Sequence, residues 1–486
     1  MSRIGLLLVL ASLLVAAAYL AEVPKNPNAF FVDEASIAYN AQTISTNSAD
    51  EHGNSLPLYF RAFGEYKSPV YIYLLAAVFR ITGPSILVAR LVSAGAGLAA
   101  ASLLGLLAFH ISGRRITGLI TFLAAGLTPW FFEISRLVFE VVLFPALLTL
   151  FLLVLYRASK RATWPIIFQL ALGTLLGLMF YTYSAGRLLA PLFAVGLALF
   201  ITRASWRSVL LTGFVFALTL TPLMFFSVRQ PGVLSERFKH VTYVKPGDTR
   251  AEIVVRFAMN YVHNFSPRSW LLKGDPEPRH HLQAMGSILV GVALLALLGF
   301  VLILIKHWRE AWWRFVIYGL AVSPVPASLT LDHFHTLRLI ALPVFLVVLT
   351  VPAIDFLLNS KGNSPTARRL LMATLVLAII SQGAFFQWRF HTAAPRVDAF
   401  DSYYPELLAK ALDQPQRPVY LFDKTPAAYV YAFWYATLRG INIHDFKRIK
   451  GGESPPAGAV VISHELPCTN CEMIAERGQF RVYRQK

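Results

Sequence analysis

Residues 139–156 read FEVVLFPALLTLFLLVLY and run straight into Arg157, Lys160 and Arg161. That length is close to the roughly 20 apolar residues a helix needs to cross the hydrocarbon core. A basic connector at one end marks the cytoplasmic side of such a helix. The same pattern recurs along the chain. Eleven spans are predicted, at about 4–21, 86–109, 116–130, 139–156, 165–183, 188–202, 208–228, 284–305, 315–331, 338–358 and 369–388. The composition agrees with a polytopic α-helical membrane protein. Of 486 residues, 56% are hydrophobic and 14% are charged, where a soluble domain carries about 25% charge. This excludes a soluble enzyme, a disordered chain and a coiled coil. The net charge of +18 reads as basic connectors and contact with anionic membrane lipids. No nucleic-acid partner is expected.

Orientation follows from the short connectors. Those at 110–115, 157–164, 202–207, 306–314 and 359–369 carry Arg114, Arg115, Arg157, Lys160, Arg161, Arg203, Arg207, Lys306, Arg309, Arg314, Lys361, Arg368 and Arg369. The alternate connectors at 131–137, 184–187 and 332–338 carry one arginine each: Arg136, Arg187 and Arg338. The first set is therefore cytoplasmic. The loops 22–85 and 229–283 and the C-terminal tail then lie outside. Residues 1–389 read as the transmembrane domain of an inner or plasma membrane protein. The run after Ser2-Arg3 is favoured as an uncleaved first helix; a cleaved signal peptide is the alternative.

The tail, residues 390–486, changes character. Val419–Phe422 and Ala459–Ile462 read as buried strands, with a helix over Ala427–Leu438 between them. A small α/β domain on the outer surface is predicted. Cys468 and Cys471 form a CxxC pair that can bind zinc, exchange disulfides or bridge locally. Zinc is disfavoured, because the chain has no second pair.

Ionisable groups at membrane depth are expensive, so their positions inform. They gather at the outer boundary: Arg90, Glu140, Arg136, Arg187 and Arg338, with Asp33, Glu34 and Lys67 in the first loop. A transporter would place its site near the midplane; an enzyme at the outer interface would place it here. Asp33-Glu34 opens a predicted amphipathic helix, and capping with dipole compensation is the alternative reading of the two carboxylates. Residues 69–82 are aromatic and short for a span, so an interfacial helix is predicted.

The ordered motifs resemble the polyprenyl-phosphate-sugar-dependent glycosyltransferases of the GT-C superfamily. Glycosyltransferase family 39 is the nearest match, with its protein O-mannosyltransferases and lipid A aminoarabinose transferases. Asp33-Glu34 matches the family's acidic pair in the first outer loop. Tyr66-Lys67-Ser68-Pro69-Val70-Tyr71 matches its basic residue before prolines and aromatics, with Ser68 where a proline is common. Val88-Ala89-Arg90-Leu91 matches the start of the next span. Softer matches are Ser135-Arg136-Leu137 with Glu140, Tyr181–Arg187, Asn264–Pro267 with Lys273-Gly274-Asp275, Ser323–Ser328, and His335–Arg338.

The resemblance implies an inverting transfer of a sugar from a polyprenyl-phosphate donor to a protein, lipid or envelope-glycan acceptor. Asp33 would be the general base, with Glu34 assisting or capping. Lys67 and the outer arginines Arg136, Arg187 and Arg338 would meet the phosphate. Tyr66, Tyr183 and His335 would line the substrate site. Glu140 would orient the acceptor or, the favoured reading, hold an arginine. No cofactor is expected; a divalent metal is compatible but not predicted. Asp332, His333 and His335 read as polar lining rather than a metal site, and His280-His281 as a solvated loop. Asn264-Phe265-Ser266 reads as an accidental glycosylation sequon. A polyprenyl-linked glycan flippase is the alternative function, and a non-catalytic envelope scaffold is another.

Overall fold

The computed structural model describes residues 3–63, 65–232, 238–239, 241–283, 285–359, 364–393, 400–422, 428–449, 453–464 and 470–486. The chain packs as two compact units, Met1–Ala21 with Ser93–Ala393, and Glu22–Val92 with Ala394–Lys486. The units do not follow the linear division at residue 389. The first loop folds together with the C-terminal segment.

The larger unit is helical. Helices Glu140–Ser159, Trp206–Arg229, Val290–His307 and Pro365–Thr392 are long and apolar enough to cross a membrane, as is Ile86–Ser112, which leads into this unit. The segment predicted as a span at 116–130 is instead broken. Arg115–Leu127 and Pro129–Ser135 meet at a 58° bend. Pro129 supplies no N–H to continue the ladder, and Thr128 before it is extended at φ −68°, ψ 124°. The segment predicted at 315–331 is not one helix either. Ala311–Val322 ends before Pro324, and Val325–Ser328 is a separate turn. Four other predicted spans are shorter apolar helices: Gly5–Leu20, Ile166–Thr182, Gly186–Phe200 and Leu342–Leu358.

Small residues bring helix backbones together here. On Ile166–Thr182, Gly173 and Gly177 face helix Trp206–Thr219. A Cβ on Gly173 would fall 2.8 Å from the Thr212 carbonyl oxygen, and one on Gly177 would fall 2.3 Å from Thr219 Oγ1. Such spacing of small residues is the packing device of helices in lipid, where apolar burial gives no drive.

The second unit joins two helices and a hairpin to a sheet. Helix Val32–Asn47 was expected to be amphipathic; instead Glu34 through Ala41 are all buried, because the helix is flanked by both Pro69–Thr82 and Ala428–Leu438. Helix Pro69–Thr82 buries Tyr71, Ile72, Leu75, Ala76 and Phe79 on one face and leaves Leu74 and Ile81 exposed. Strands β1 (Phe60–Ala62) and β2 (Glu65–Lys67) pair antiparallel, with Lys67 opposite Phe60.

The sheet holds β3 (Val419–Phe422), β4 (Phe446–Ile449), β5 (Val460–Ser463), β6 (Cys471–Arg477) and β7 (Phe480–Gln485), in the order β4-β3-β5-β7-β6. Strand β3 is parallel to β4 and β5, and β7 is antiparallel to β5 and β6. The predicted strands and intervening helix fall on β3, β5 and Ala428–Leu438. That helix carries the core of the unit. Trp434 stacks on Phe30 at 5.6 Å and on Phe79 at 6.1 Å, and the Arg90 guanidinium lies 5.1 Å from the Phe30 ring centre. These aromatics explain why the first loop and the sheet share one unit. Cys471 is disulfide-bonded; Cys468 lies outside the described residues.

Candidate functional site

In the second unit, the first turn of helix Val32–Asn47 and the end of β2 present a carboxylate to an ammonium. Lys67 Nζ lies 2.5 Å from Asp33 Oδ1. Lysine is buried, whereas the Asp33 side chain is 31% exposed. The register of the hairpin holds Lys67 next to Ser68-Pro69, where proline's fixed φ starts the following helix. Tyr66 lies opposite Arg61 in the hairpin and is half-buried.

Glu34 has a different environment. Its carboxylate accepts a hydrogen bond from the Phe31 N–H at 2.8 Å, which satisfies a donor at the helix start. It also meets Arg90 at 3.4 Å, with both side chains buried. Arg90 donates further to the carbonyls of Pro27 and Ala29. Of the adjacent pair, Asp33 faces outward and Glu34 is tied into the loop.

The remaining candidates lie in the helical unit. Arg136 is buried and donates to the carbonyls of Tyr19 and Ala21, each at 2.9 Å, with Phe132 and Phe390 near its guanidinium. It closes the C-terminal end of the first helix, where a cation also meets the helix dipole. The sequence offered it as a phosphate ligand because no acid is adjacent in the chain; the acceptors are backbone carbonyls far away in sequence. Arg338 likewise gains partners on folding, Asp332 at 2.5 Å and Thr330 Oγ1 at 2.9 Å. Glu140 begins the 3-10 turn Glu140–Val142. Tyr183 ends helix Ile166–Thr182 and Arg187 is in the first turn of Gly186–Gly196. All three are half-buried.

His280-His281 is not a solvated loop. Both side chains are buried: His281 meets Glu133, far away in sequence, and His280 meets Asp275 in its own loop. Glu133, on the bent helix piece, accepts from His281 Nδ1 at 2.7 Å and from the Leu282 N–H at 2.6 Å. His281 Nε2 lies 2.6 Å from the Met285 carbonyl oxygen. With the Glu133 carboxylate ionised, both neighbours are acceptors and both ring nitrogens donate, the imidazolium form of His281. Burial opposes that charge, but Glu133 outweighs it and raises the pKa of His281. Gly274 packs against this ring at φ +68°; a Cβ there would fall 2.1 Å from His281 Nε2.

Beside this pair, Asp275, His280 and His335 place one potential ligand atom each within 4.8 Å of one another. The Asp275 carboxylate is fixed by the Thr336 N–H and hydroxyl at 2.7 and 2.6 Å and by the Glu277 N–H at 2.9 Å. Burial penalises its charge, but contacts with His280, His335 and Thr336 hold it below the usual carboxylate range. Burial and the neighbouring His280 push His335 down to about 3. His335 thus meets Asp275 and His280 rather than His333; His333 lies tilted against His263, ring centres 5.0 Å apart. Sequence reading missed Glu133 and Asp275 as paired acids. The usable signal was an acid just past Pro129 and another after the Lys273-Gly274 turn, each with a histidine to receive it. Asn264 is buried and donates to Ser328 Oγ, which removes the sequon from reach.

No protein-family model matches the chain. No curated protein matches it in sequence. Solved structures do match. ArnT from Cupriavidus metallidurans bound to undecaprenyl phosphate superposes with a TM-score of 0.65 at 14% identity, over 99% of this chain and 98% of that one. The apo state of the same protein gives 0.62 at 13% identity, over 99% and 97%. From end to end the chain has the fold of ArnT.

Proposed function

We propose that the chain is an integral-membrane, inverting glycosyltransferase that moves a sugar from a polyprenyl-phosphate donor to an acceptor at the outer face of the membrane. The observation that carries this reading is the full-length likeness to a protein crystallised with undecaprenyl phosphate. The charge arrangement supports it. Lys67 is a cation beside Asp33, and its ammonium can turn a hydrogen toward a phosphate oxygen. Phosphate binding draws the ammonium away from the carboxylate, leaving Asp33 to accept the acceptor's proton as the anomeric bond forms and the bond to phosphate breaks. Lys67 then stabilises the charge that develops on the leaving phosphate. Glu34 has a supporting role through Arg90, and Tyr66 borders the same hairpin. Within the helical unit we assign substrate contacts to Tyr183, Arg187 and Arg338. Arg136 serves to position the first helix, and Glu140 holds a cation.

The test is a single-turnover reaction in nanodiscs. Polyprenyl-phosphate sugars are supplied with cell-envelope extracts of the parent strain and of a deletion strain. Covalent transfer with release of polyprenyl phosphate is the expected result, and mass spectrometry then names the sugar and the acceptor. Movement of the intact donor across the bilayer with no transfer would establish the flippase reading instead. Reporter fusions at residues 160, 310 and 364 should report cytoplasm, and those at 250 and 486 the outside; a cytoplasmic C-terminus removes the reading.

A further inference from the structure

We infer that Asp275, His280 and His335 form a binding site for one divalent transition-metal ion of the zinc class. A carboxylate and two imidazoles are ordinary ligands for such an ion. His280 Nδ1 lies 3.5 Å from Asp275 Oδ2, and ligands about 2.0–2.1 Å from a tetrahedral zinc stand roughly 3.3–3.4 Å apart. The two imidazoles lie tilted to each other at 48°, with ring centres 4.9 Å apart.

The observation that points to a ligand is an unmet need. His280 Nδ1 and His335 Nδ1 are both buried without a hydrogen-bond partner, and the His280 side chain is only 5% exposed. An unpaired buried nitrogen costs free energy. Two of them beside a fixed carboxylate are satisfied together by one cation.

The supporting shell is built for that purpose. Thr336 orients Asp275 through two hydrogen bonds, and the Thr336 carbonyl is held by the Trp130 indole N–H at 3.1 Å. His281, next to His280, is anchored on Glu133. Outer-shell partners of this kind set ligand orientation in metal sites. Three protein ligands leave one position for water. The ion would pin the loop 229–283 to the segment 332–338. This inference stands apart from the transferase reading, since it concerns binding and stability rather than turnover.

The test uses the full chain in nanodiscs, with any affinity tag removed and metal stripped by chelator. Zinc is titrated calorimetrically, and cobalt is titrated by its visible absorption. One equivalent per chain is expected, with the intense bands of four-coordinate cobalt and a higher melting temperature on loading. His280→Ala and His335→Ala should each weaken binding at least about 100-fold and abolish the thermal gain. Thr336→Val keeps all three ligands and should cost about 10- to 100-fold. His333→Ala should bind as wild type. Absence of saturable zinc uptake by the wild-type chain overturns the inference whatever the variants do. Uptake that is unchanged in Thr336→Val and His335→Ala also overturns it, because the metal would then sit elsewhere.

Discussion

The Asp33–Lys67 pair and the Asp275–His280–His335 cluster both set a carboxylate against nitrogen groups, but they are open to different visitors. Asp33 is 31% exposed and meets the Lys67 ammonium at 2.5 Å. Asp275 is 2% exposed and is held by three hydrogen bonds from backbone and hydroxyl donors. The first can exchange its partner for part of a large substrate. The second admits only something as small as an ion or a water. On the proposed function, solvent access, more than the residue types themselves, separates the carboxylate assigned to proton chemistry from the one assigned to structure.

The most direct way to break this comparison is Asp33→Asn, which keeps the shape and removes the base. Positioned proton transfer contributes ~10²–10⁴-fold, so single-turnover transfer should fall by that order while donor binding persists. Asp275→Asn should leave the chemical step far less affected. A wild-type rate in Asp33→Asn sinks the assignment. Glu34→Gln should reduce thermal stability more than rate, because its carboxylate is spent on Phe31 and Arg90; a rate loss exceeding that of Asp33→Asn would swap the two roles.

Arg90→Met probes the closed half of the acidic pair. It removes the buried cation that Glu34 meets, and breaking such a pair costs about 3–5 kcal/mol. Expression yield and melting temperature should both drop. Restoring them with the double change Arg90→Met/Glu34→Gln would show that the penalty lies in the Glu34 charge. Failure of the double variant to recover would place the penalty in the lost carbonyl contacts of Arg90 instead.

Lys67→Ala comes next. A hydrogen bond to a charged group contributes about 1.5–3 kcal/mol, or roughly 10- to 150-fold in affinity. Binding of a polyprenyl-phosphate donor should weaken by that factor. Unchanged affinity in the folded variant removes Lys67 from the donor site.

What could be seen in the sequence follows the range of each interaction. Apolar runs and basic connectors are local signals, and they marked the helices and the strands at 419 and 460. The breaks at Pro129 and Pro324 were local too, but a hydropathy average hides them because proline costs little hydrophobicity. Asp33 and Lys67 were singled out through a motif, while their contact spans 34 residues and exists only in the folded chain. Arg136 shows the opposite failure. With no acid adjacent to it in the chain it was assigned to a phosphate, yet it donates to carbonyls 115 and 117 residues away. Glu133 reaches His281 across 148 residues, a pairing that no local pattern announces.

The smallest expected effect concerns Glu51, a buried carboxylate in the first loop that neither site uses. Asn40 Nδ2 donates to its Oε1 at 3.3 Å, and its own N–H donates to Asn40 Oδ1 at 3.1 Å. Burial raises its pKa, against the opposing pull of His52, Asn40, Tyr429 and Arg448. A carboxyl raised in the folded state contributes stability that is full below its unfolded pKa of about 4.3. That contribution is lost as pH climbs through the folded value. At neutral pH the wild type therefore bears a cost of burying Glu51 that Glu51→Gln lacks, while the amide oxygen can still accept from Asn40. The variant should melt higher than wild type at pH 7.5, by on the order of 1 kcal/mol in stability. The advantage should shrink toward zero near pH 4, where both side chains are neutral. A difference that stays flat between these pH values, or one that favours wild type at pH 7.5, would mean that Arg448 and the other neighbours pay in full for the charge, and that Glu51 belongs with the satisfied ion pairs rather than with the strained acids.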